Sequence, residues 1–545
     1  MADPSAPAPS STRPGTNNST TEILYDKSDY RTRTPSNANS VEMEALDGAT
    51  INGDQVSDAE KGFGTDKKET INEEEERARD DPNVVTWDGP EDPENPMNWP
   101  MKKKWMNIAV LSVLTLVTPL GSSMFAPGIP KIMAEFHEDS KTTATFVLSI
   151  YILGFAFGPL IIAPMSEIYG RSILYNIGNV LFTVFSVGTA LSTNMGMMMA
   201  FRFLMGLAGA VPITIGSGSI SDLMPVEMRG RAMAAWALGP LLGPCIGPIA
   251  GGYLVRDADW RWVFWLIAIL AGVISVFTFF TLKETYAPLI LERRTKKLRK
   301  ETGNENLISM YHDPTKTATQ IFKEAIVRPI NILFTKMIVL LMALYVAITY
   351  GILYLLFTTF SFVYTLNYGF DEGTNGLTFL PAGLGMMIGI VVFGAMSDIV
   401  VKKRTEAGLE HKPEVRLSPS FTIPAGLALP VGLFLYGWTA EKGVHWIVPM
   451  IGVVIFSCGL MGVMMCVQNY LLDAYPRYAA SVTAALAVLR SLAGALLPLG
   501  GLDMYTELGL GWANSLLAFI ALALVPIPLF FFFYGEKLRA RGRMD

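Results

Sequence analysis

The chain has 545 residues, of which 51% are hydrophobic and only 17% charged, and its formal net charge is −5. A water-soluble protein of this length needs more charged surface, so the composition excludes a soluble enzyme or binding module and indicates a polytopic membrane protein. A membrane-spanning helix needs about 20 apolar residues, and the chain has room for about twelve such helices.

The first hundred residues differ from the rest of the chain. The stretches SAPAPSSTRPGTNNST (5–20) and NEEEERARDD (72–81) are rich in Ser, Pro, Asn and acidic residues. Segments of this composition bury too little apolar surface to fold. We therefore expect residues 1–100 to form a disordered tail. The tail has no signal-peptide pattern, so insertion is expected to begin at an internal span.

Apolar runs long enough to cross a bilayer follow the tail. They lie at 105–125, 143–163, 173–191, 197–221, 232–255, 262–282, 334–361, 374–397, 420–437, 446–471, 479–502 and 512–534. The predicted organisation is a six-helix half at 101–282, a basic central loop at 283–332, a second six-helix half at 333–535 and a basic tail at 536–545.

Basic residues near the span ends predict the orientation. One side of the membrane collects Lys102, Lys103, Lys104, Arg171, Arg229, Arg231, the cluster ERRTKKLRK (292–300), Arg328, Lys402, Lys403, Arg404, Arg477 and KLRARGR (537–543). The other side holds only Lys131, Lys141, Arg256, Arg261 and Lys442. The positive-inside rule then places both termini and the central loop in the cytoplasm.

Three landmarks recur in the same order in the two halves. APMSEIYGR (163–171) is echoed by GAMSDIVVKKR (394–404), SDLMP (221–225) by LDAYP (472–476), and PIAGG (248–252) by PLGG (498–501). The chain therefore reads as two six-helix halves of parallel topology, an arrangement known from membrane transporters.

The chain resembles the major facilitator superfamily, and within it the fungal drug:proton antiporters with twelve spans. The resemblance covers about residues 83–545 and rests on NPMNW (95–99), LGFAFGPLIIAPMSEIYGR (153–171), RFLMGLAGA (202–210), DLMPVEMRGRAMA (222–234), DWRWVFW (259–265) and LKETYAPLI (282–290). It implies an all-α membrane protein with the major-facilitator fold. It also implies a monomer that exports drugs, toxins or secondary metabolites across the plasma membrane, coupled to protons, by alternating access.

The stretch GPLLGPCIGPIAGG (239–252) in the fifth span sets glycines at four-residue intervals, three of them followed by proline. These glycines share one helix face, so a neighbouring helix can approach closely there, while neighbouring helices and hydroxyl groups repair the bonds lost at the prolines. Close packing alone is one interpretation of the pattern. The resemblance implies more, an antiporter motif in which the fifth helix closes against its symmetry partner. The residues of this motif are Gly239, Gly243, Gly247, Pro248, Gly251 and Gly252.

Two arginines lie inside spans, Arg202 in the fourth and Arg490 in the eleventh. A central arginine costs at least about 2.5–3.5 kcal/mol on insertion scales, so it needs a wet cavity or a partner. The resemblance implies a proton-coupling role for Arg202, and the alternative is a hub of hydrogen bonds to backbone carbonyls. For Arg490, cavity lining and structural pairing are equally open. The first span has no central acidic residue, so Asp222 or Glu167 is the preferred proton carrier.

Acidic residues at the cytoplasmic helix ends repeat in both halves. The resemblance implies that they form, with nearby bases, a network that closes the cytoplasmic side, whereas ordinary solvated end charges are the alternative for each one singly. The predicted gate residues are Glu167, Gly170, Arg171, Asp398, Arg404 and Asp473. The sequence departs from the family motif at three positions, Ala163, Glu167 and Ser172.

The seventh span carries the stretch YGILYLLFTTFS (350–361), with Tyr350, Tyr354 and Phe357 at helical spacing. Together with Arg490 these residues are the candidate substrate cavity for flat lipophilic molecules, although such a stripe is more often packing. Polyvalent cations would need buried acidic residues, which the predicted cavity does not offer.

Other function classes find little support in the sequence. No GxxxxGK[ST] loop and no His/Cys metal constellation occur, so we expect no enzyme activity, no metal and no cofactor. Cys245, Cys458 and Cys466 all lie in spans and are expected to be free thiols. The expected partners are a small-molecule substrate, protons and the lipid bilayer, with no nucleic acid. The closest alternative is a proton-coupled transporter of polyamines, organic acids or another small metabolite.

Overall fold

The computed structural model describes residues 82–89, 91–311, 317–406 and 412–541. These residues are almost entirely helical, as the apolar runs predict. The helices are α1 (Met101–Ser123), α2 (Ile129–Glu135), α3 (Lys141–Tyr169), α4 (Arg171–Ala190), α5 (Met195–Leu223), α6 (Val226–Asp257), α7 (Trp260–Thr281), α8 (Ala287–Thr302), α9 (Ala318–Thr335), α10 (Met337–Tyr368), α11 (Glu372–Leu377), α12 (Leu380–Glu406), α13 (Pro419–Glu441), α14 (Ile447–Ala474), α15 (Ala479–Leu496), α16 (Gly501–Leu524) and α17 (Pro526–Arg541).

Within the described residues, eleven helical stretches are long and apolar enough to cross a membrane. The last stretch, Ala479–Arg539, has 61 residues, whereas a hydrocarbon core of about 30 Å needs only about 20 residues of helix. Gly509 interrupts this stretch with φ 75° and ψ 165°. Thr506, just before it, accepts a hydrogen bond from Lys141 at the start of α3. The chain reverses at Gly509, so the stretch holds the eleventh and twelfth predicted spans.

The two halves repeat the same helix pairings. In the first half α1 packs on α6, α3 on α5, and α4 on α7. In the second half the corresponding pairs are α10 with α15, α12 with α14, and α13 with α16. The parallel repeat that the sequence landmarks predict is therefore present in the packing of the helices.

Successive spans alternate in direction, which gives the bundle two faces. We call the surface where α1 begins and α3, α5 and α7 end the basic face, because Lys102 and the segment between α7 and α10 lie there. The other surface is called the opposite face. The halves meet through α3 with α15 and through α6 with α11 and α12.

The segment before α1 is ordered from residue 82 onward, so the prediction of a disordered tail to residue 100 is wrong for its last part; residues 1–81 lie outside the described part of the chain. Strand β1 (Val84–Val85) pairs in parallel with β2 (Ile308–Ser309) of the central loop. Trp87 and Trp99 are buried. Apolar burial and strand pairing thus offset the ordering entropy of this segment.

A buried carboxylate fixes the same segment to α8. Arg294 lies 2.7 Å from Asp92 Oδ2 and also pairs with Asp88. Burial alone would raise the pKa of Asp92, but hydrogen bonds from Arg294 and from the backbone N–H groups of Asp88 and Glu94 hold this pKa below its ordinary value. Asp92 is therefore charged at neutral pH and stabilises the docked segment.

The predicted basic tail at the end of the chain is partly helical. Helix α17 continues to Arg541, through most of the predicted basic tail, while residues 542–545 lie outside the described part. Arg539 makes two hydrogen bonds of 2.9 Å to the buried carboxylate of Glu414. Lys412 lies 2.8 Å from Glu536. These ion pairs dock the end of α17 against the segment before α13.

Helix α6 is continuous in spite of its three internal prolines. Pro248 has no N–H, so the carbonyl of Pro244, four residues earlier, has no helical partner. The hydroxyl of Ser123 in α1 donates to this carbonyl at 3.1 Å in a buried position. A side chain of the neighbouring helix thus replaces the missing backbone bond.

A similar but longer contact lies eight residues earlier in α6. Pro240 leaves the carbonyl of Trp236 without its partner, and the Thr115 hydroxyl lies 3.5 Å from it. In α1 the residues Thr115, Pro119 and Ser123 follow one another at four-residue intervals. The hydroxyls of α1 therefore stand in register with the prolines of α6.

The glycines of α6 allow α1 to come this close. All four glycines of the repeat face α1: Gly239, Gly243, Gly247 and Gly251. A Cβ atom on Gly239 would lie 2.8 Å from the backbone nitrogen of Leu116, and a Cβ atom on Gly251 would overlap the carbonyl oxygen of Met124. The row therefore serves close packing of two helices within one half.

In this structure the row does not contact the symmetry partner of the fifth helix, and the closure that the resemblance implies stays a prediction. Helix α6 meets the other half along a different face, whose residues follow glycines of the row by one or two positions, or about 100–200° round the helix. The contacts there join Cys245 to Gly383, Pro248 to Gly376 and Gly252 to Glu372.

The three cysteines are free, as predicted.

We predict that Gly251→Ala lowers the thermal stability of the purified protein by an amount typical of overpacking, about 1–3 kcal/mol. Gly247→Ala is the matched control, because its Cβ atom would meet only a hydroxyl at 3.2 Å and Leu120 at 3.4 Å. Thermal unfolding in detergent measures both variants. Equal melting temperatures for Gly251→Ala and the parent would contradict the close contact with Met124.

Candidate functional site

A cavity of about 250 Å³ lies between the two halves near the middle of the spans. The first half contributes Pro119, Phe155, Pro159, Thr214, Pro240 and Pro244. The second half contributes Tyr350, Tyr354, Phe357, Met386, Met464, Arg490 and Ser491. The glycine row of α6 thus faces α1, while prolines of the same helix face the cavity.

The structure brings together all four residues that the sequence assigns to a substrate cavity. Tyr350, Tyr354 and Phe357 form a continuous aromatic stripe on α10, with ring centroids 5.0 and 5.7 Å apart. The Arg490 guanidinium on α15 lies 5.0 Å from the Tyr350 ring. Among the described lining residues Arg490 is the one that carries a formal charge. The cavity is an aromatic and apolar space with a single cation.

Arg202 lies elsewhere, fully buried within the first half. Its guanidinium donates to four backbone carbonyls, those of Val147 at 2.6 Å, Ser122 at 3.0 Å, Gly121 at 3.2 Å and Leu148 at 3.4 Å. These acceptors belong to α1 and α3, so Arg202 joins three helices.

The aromatic surroundings of Arg202 complete its environment. The guanidinium carbon lies 3.9 Å from the Phe125 ring centroid and 5.4 Å from that of Tyr151. No ion pair to Arg202 occurs in the described part of the chain. This geometry fits the structural alternative, a hub of hydrogen bonds to carbonyls, and the proton-coupling role of Arg202 stays a prediction.

At the basic face of the first half, Arg171 connects the ends of two spans. Its Nε lies 3.3 Å from Asp222 Oδ2, and its Nη1 donates to the Ser166 hydroxyl at 2.6 Å. Gly170 turns the chain between α3 and α4 with φ 96°. A side chain at position 170 would overlap Glu284, so only glycine fits both the backbone and the space.

The second half repeats this arrangement with an arginine from a different place in the sequence. Arg416 lies 3.0 Å from Asp473 Oδ2 and donates to the Ser397 hydroxyl at 3.2 Å. It lies in the 3₁₀ helix Pro413–Leu417, before α13. Each half therefore holds an Arg–Ser–Asp triad at the basic face, and the acidic and hydroxyl members come from equivalent positions.

The other three predicted gate residues are Glu167, Asp398 and Arg404, and the gate itself stays a prediction. Arg404 does not pair with Asp473, whose described partner is Arg416. Glu167 is exposed and makes no ion pair among the described side chains. The side chain of Asp398 lies outside the described part of the structure. The sequence motif placed several basic residues near the helix ends, but its spacing could not show which of them pairs with Asp473.

Sequence reasoning missed Glu284, which lies at the start of the central loop. Its carboxylate accepts hydrogen bonds from the backbone N–H groups of Arg171 at 2.9 Å and Ser172 at 3.3 Å, and of Thr285 and Tyr286 at 3.0 Å. It thus satisfies N–H groups at the start of α4 and just before α8. Its position directly before a helix start, in LKETYAPLI, is the signal that could have found it.

Sequence reasoning also missed the ion pairs that join the halves at the opposite face. Lys131 lies 3.3 Å from Glu372, and Arg256 lies 3.5 Å from Asp371. Both described ion pairs between the halves lie at this face, whereas the two Arg–Ser–Asp triads at the basic face each stay within one half. The described ion pairs that join the halves are therefore confined to the opposite face.

We predict that Arg202→Ala lowers the melting temperature and the yield of folded protein, because it removes a cation that joins α1, α3 and α5 and leaves its acceptors unpaired. Arg202→Lys, with fewer donors, is expected to lie between Ala and the parent. Thermal unfolding of the purified variants measures this effect. A parental melting temperature combined with lost transport would instead favour the coupling role.

We predict that Glu284→Gln destabilises the protein by about 1.5–3 kcal/mol, because hydrogen bonds to a charged acceptor are replaced by weaker ones. The exposed Glu167 lies at the same face and is the matched control, so Glu167→Gln is expected to stay within about 0.5 kcal/mol of the parent. Amide exchange at the start of α4 and thermal unfolding measure both. Similar results for the two variants would show that the carboxylate of Glu284 is not needed there.

Comparison with known proteins agrees with this architecture. The family model described as Major Facilitator Superfamily matches residues 111–498. The efflux pump radE of Floropilus chiversii is 50% identical over 475 residues, 87% of each chain. The MFS-type transporter penM of Penicillium rubens is 48% identical, over 86% of this chain and 92% of its own.

Solved structures share the fold at much lower identity. The xylose transporter XylE from E. coli, in a partially occluded inward-open conformation, has a TM-score of 0.56 at 16% identity, over 79% of this chain and 99% of its own. At this identity the likeness concerns the fold alone. The family model, however, covers most of the chain. This chain therefore belongs to the major facilitator superfamily of membrane transporters.

Proposed function

We propose that this protein exports drugs, toxins or secondary metabolites out of the cell in exchange for protons, by alternating access. The observation that carries the proposal is the aromatic cavity between the two halves, which contains Tyr350, Tyr354 and Phe357. Apolar pockets with a few polar groups are typical of sites for small organic ligands. The printed name of the relative from Floropilus chiversii, an efflux pump, supports the same direction of transport.

The distribution of ion pairs supports alternating access. Lys131–Glu372 and Arg256–Asp371 join the halves at the opposite face, while each triad at the basic face lies within one half. If the basic face is cytoplasmic, as the positive-inside rule indicates, these two ion pairs lie on the outer side and would have to break for that side to open fully. Surface ion pairs contribute only about 0–1 kcal/mol each, so they can break and reform during a transport cycle.

For the proton we propose Asp222 as the carrier. The described lining of the cavity contains no acidic residue, so a titrating carboxylate has to lie outside it. Asp222 is the acidic member of the first triad, with its side chain 22% exposed and bound to Arg171. Protonation of Asp222 removes its attraction for Arg171, which couples the proton to the position of the loop between α3 and α4.

The lining also bears on the alternative substrates. Polyamines carry several positive charges and would need carboxylates in the cavity, whereas the one charged lining side chain is a cation. This objection does not apply to organic acids, because they carry negative charge. We propose the plasma membrane as the location, with both termini in the cytoplasm.

We predict that inside-out vesicles with an acidic interior accumulate compounds from a chemically diverse panel, and that accumulation stops when the pH gradient is collapsed. Asp222→Asn is expected to abolish gradient-driven accumulation, because the amide cannot titrate. Glu167→Gln is the control and is expected to retain it, since Glu167 is exposed and unpaired in the described structure. Accumulation that persists without the gradient, or in Asp222→Asn, would contradict proton coupling at this residue.

A further inference from the structure

Arg490 differs in its partners from Arg202, Arg171 and Arg416. Arg202 satisfies its donors with four backbone carbonyls, and Arg171 and Arg416 each bind an aspartate and a serine. Arg490 makes no hydrogen bond or ion pair among the described residues, and its Nε is buried without a partner. Its described contact is the face of the Tyr350 ring.

The position of Arg490 makes this lack of a partner costly. It lies within α15, on the wall of the cavity between the two halves, far from either end of the predicted span. A charged side chain at this depth is stable when it pairs with another charge, with carbonyls or with water. Here the protein supplies an aromatic face, and no described group accepts a hydrogen bond from the guanidinium on the cavity wall.

We infer that Arg490 selects substrates that carry an anionic group, namely flat aromatic acids bound as carboxylates. This inference rests on the proposed export function and narrows its substrate class. A guanidinium binds a carboxylate through two parallel N–H···O bonds, which fixes the orientation of the bound acid as well as its charge. A carboxylate in the cavity would therefore supply the acceptors that Arg490 lacks.

The rest of the cavity fits the body of such a molecule. Tyr350, Tyr354 and Phe357 line one wall beside Arg490, and Met386 and Met464 add flexible apolar surface. Aromatic rings stack in offset or edge-to-face arrangements, and methionine adapts to different shapes. The guanidinium thus selects the charge of the substrate. The aromatic and methionine side chains select the ring system of the substrate only by its flatness and size.

Charge sign separates this inference from a merely apolar cavity. A ketone or an ester could accept a hydrogen bond from Arg490 without carrying charge, and an ammonium group would be repelled. The useful probes therefore share one ring system and differ in the polar group. Naphthoic acid, its methyl ester and the matching naphthylmethylamine meet this requirement, and at neutral pH they are anionic, neutral and cationic.

Binding of the three probes to the full-length purified protein is measured by tryptophan fluorescence at neutral pH. We expect the acid to bind at least tenfold more tightly than the ester and the amine. Arg490→Gln is expected to remove this preference by weakening the acid alone, and Arg490→Lys to retain part of it because the charge remains. Thermal unfolding of each variant establishes that it is folded before binding is compared.

Two results would overturn the inference, equal binding of the acid and the ester to the parent or an unchanged preference in folded Arg490→Gln. Absence of acid binding to the parent would overturn it as well. The vesicle assay with the diverse panel tests export separately. Gradient-driven export of neutral compounds, without any preference for acids, would leave the proposed function standing and remove the role of Arg490 as an anion selector.

Discussion

The structure depends on one constraint, that backbone polar groups in a membrane need partners within the protein because the hydrocarbon core offers none. Helix α6 breaks its own bonds at its prolines, and the Ser123 hydroxyl of α1 restores a partner to the Pro244 carbonyl. This hydroxyl can reach the carbonyl only because the glycine row lets α1 approach. Gly251, where any side chain would overlap Met124, shows how little space separates the two helices. The prolines of α6, its glycines and the hydroxyls of α1 therefore act together to keep the backbone of α6 hydrogen-bonded.

The same constraint divides the molecule into rigid halves and a weaker seam. Within each half, hydrogen bonds and close glycine contacts join the helices, whereas Lys131–Glu372 at the opposite face is an exposed ion pair. Exposed pairs contribute little to stability, since water and salt compete with them. Close backbone contacts also cross the boundary, at Gly252 and Gly376, so the ion pairs are the described interactions between the halves that water can replace. The two halves can then move relative to each other, and change the shape of the cavity between them, while each half keeps its own fold.

The sequence predicted the architecture well because hydropathy and repeated landmarks are local signals. Tyr350 and Tyr354 could be assigned to a cavity for the same reason, since helical spacing places them on one face. Arg416 could not be predicted as the partner of Asp473, because the pairing joins residues 57 positions apart and several other bases lay nearer the motif. The ordered segment before α1 was missed for a similar reason, since its partner Arg294 lies in the central loop.

Arg202 and Arg490 show why burial of a charge does not by itself reveal a role. From the sequence the two residues pose the same problem, a cation within an apolar span. The fold resolves the first with four carbonyls from two neighbouring helices, which uses the guanidinium as a structural joint. It leaves the second beside Tyr350 with donors that no described group accepts. The guanidinium of Arg490 lies at the boundary between the two halves, and burying it without a partner costs free energy. A bound molecule that accepts its hydrogen bonds would remove this cost. Binding would then favour the conformations of the protein that hold the molecule.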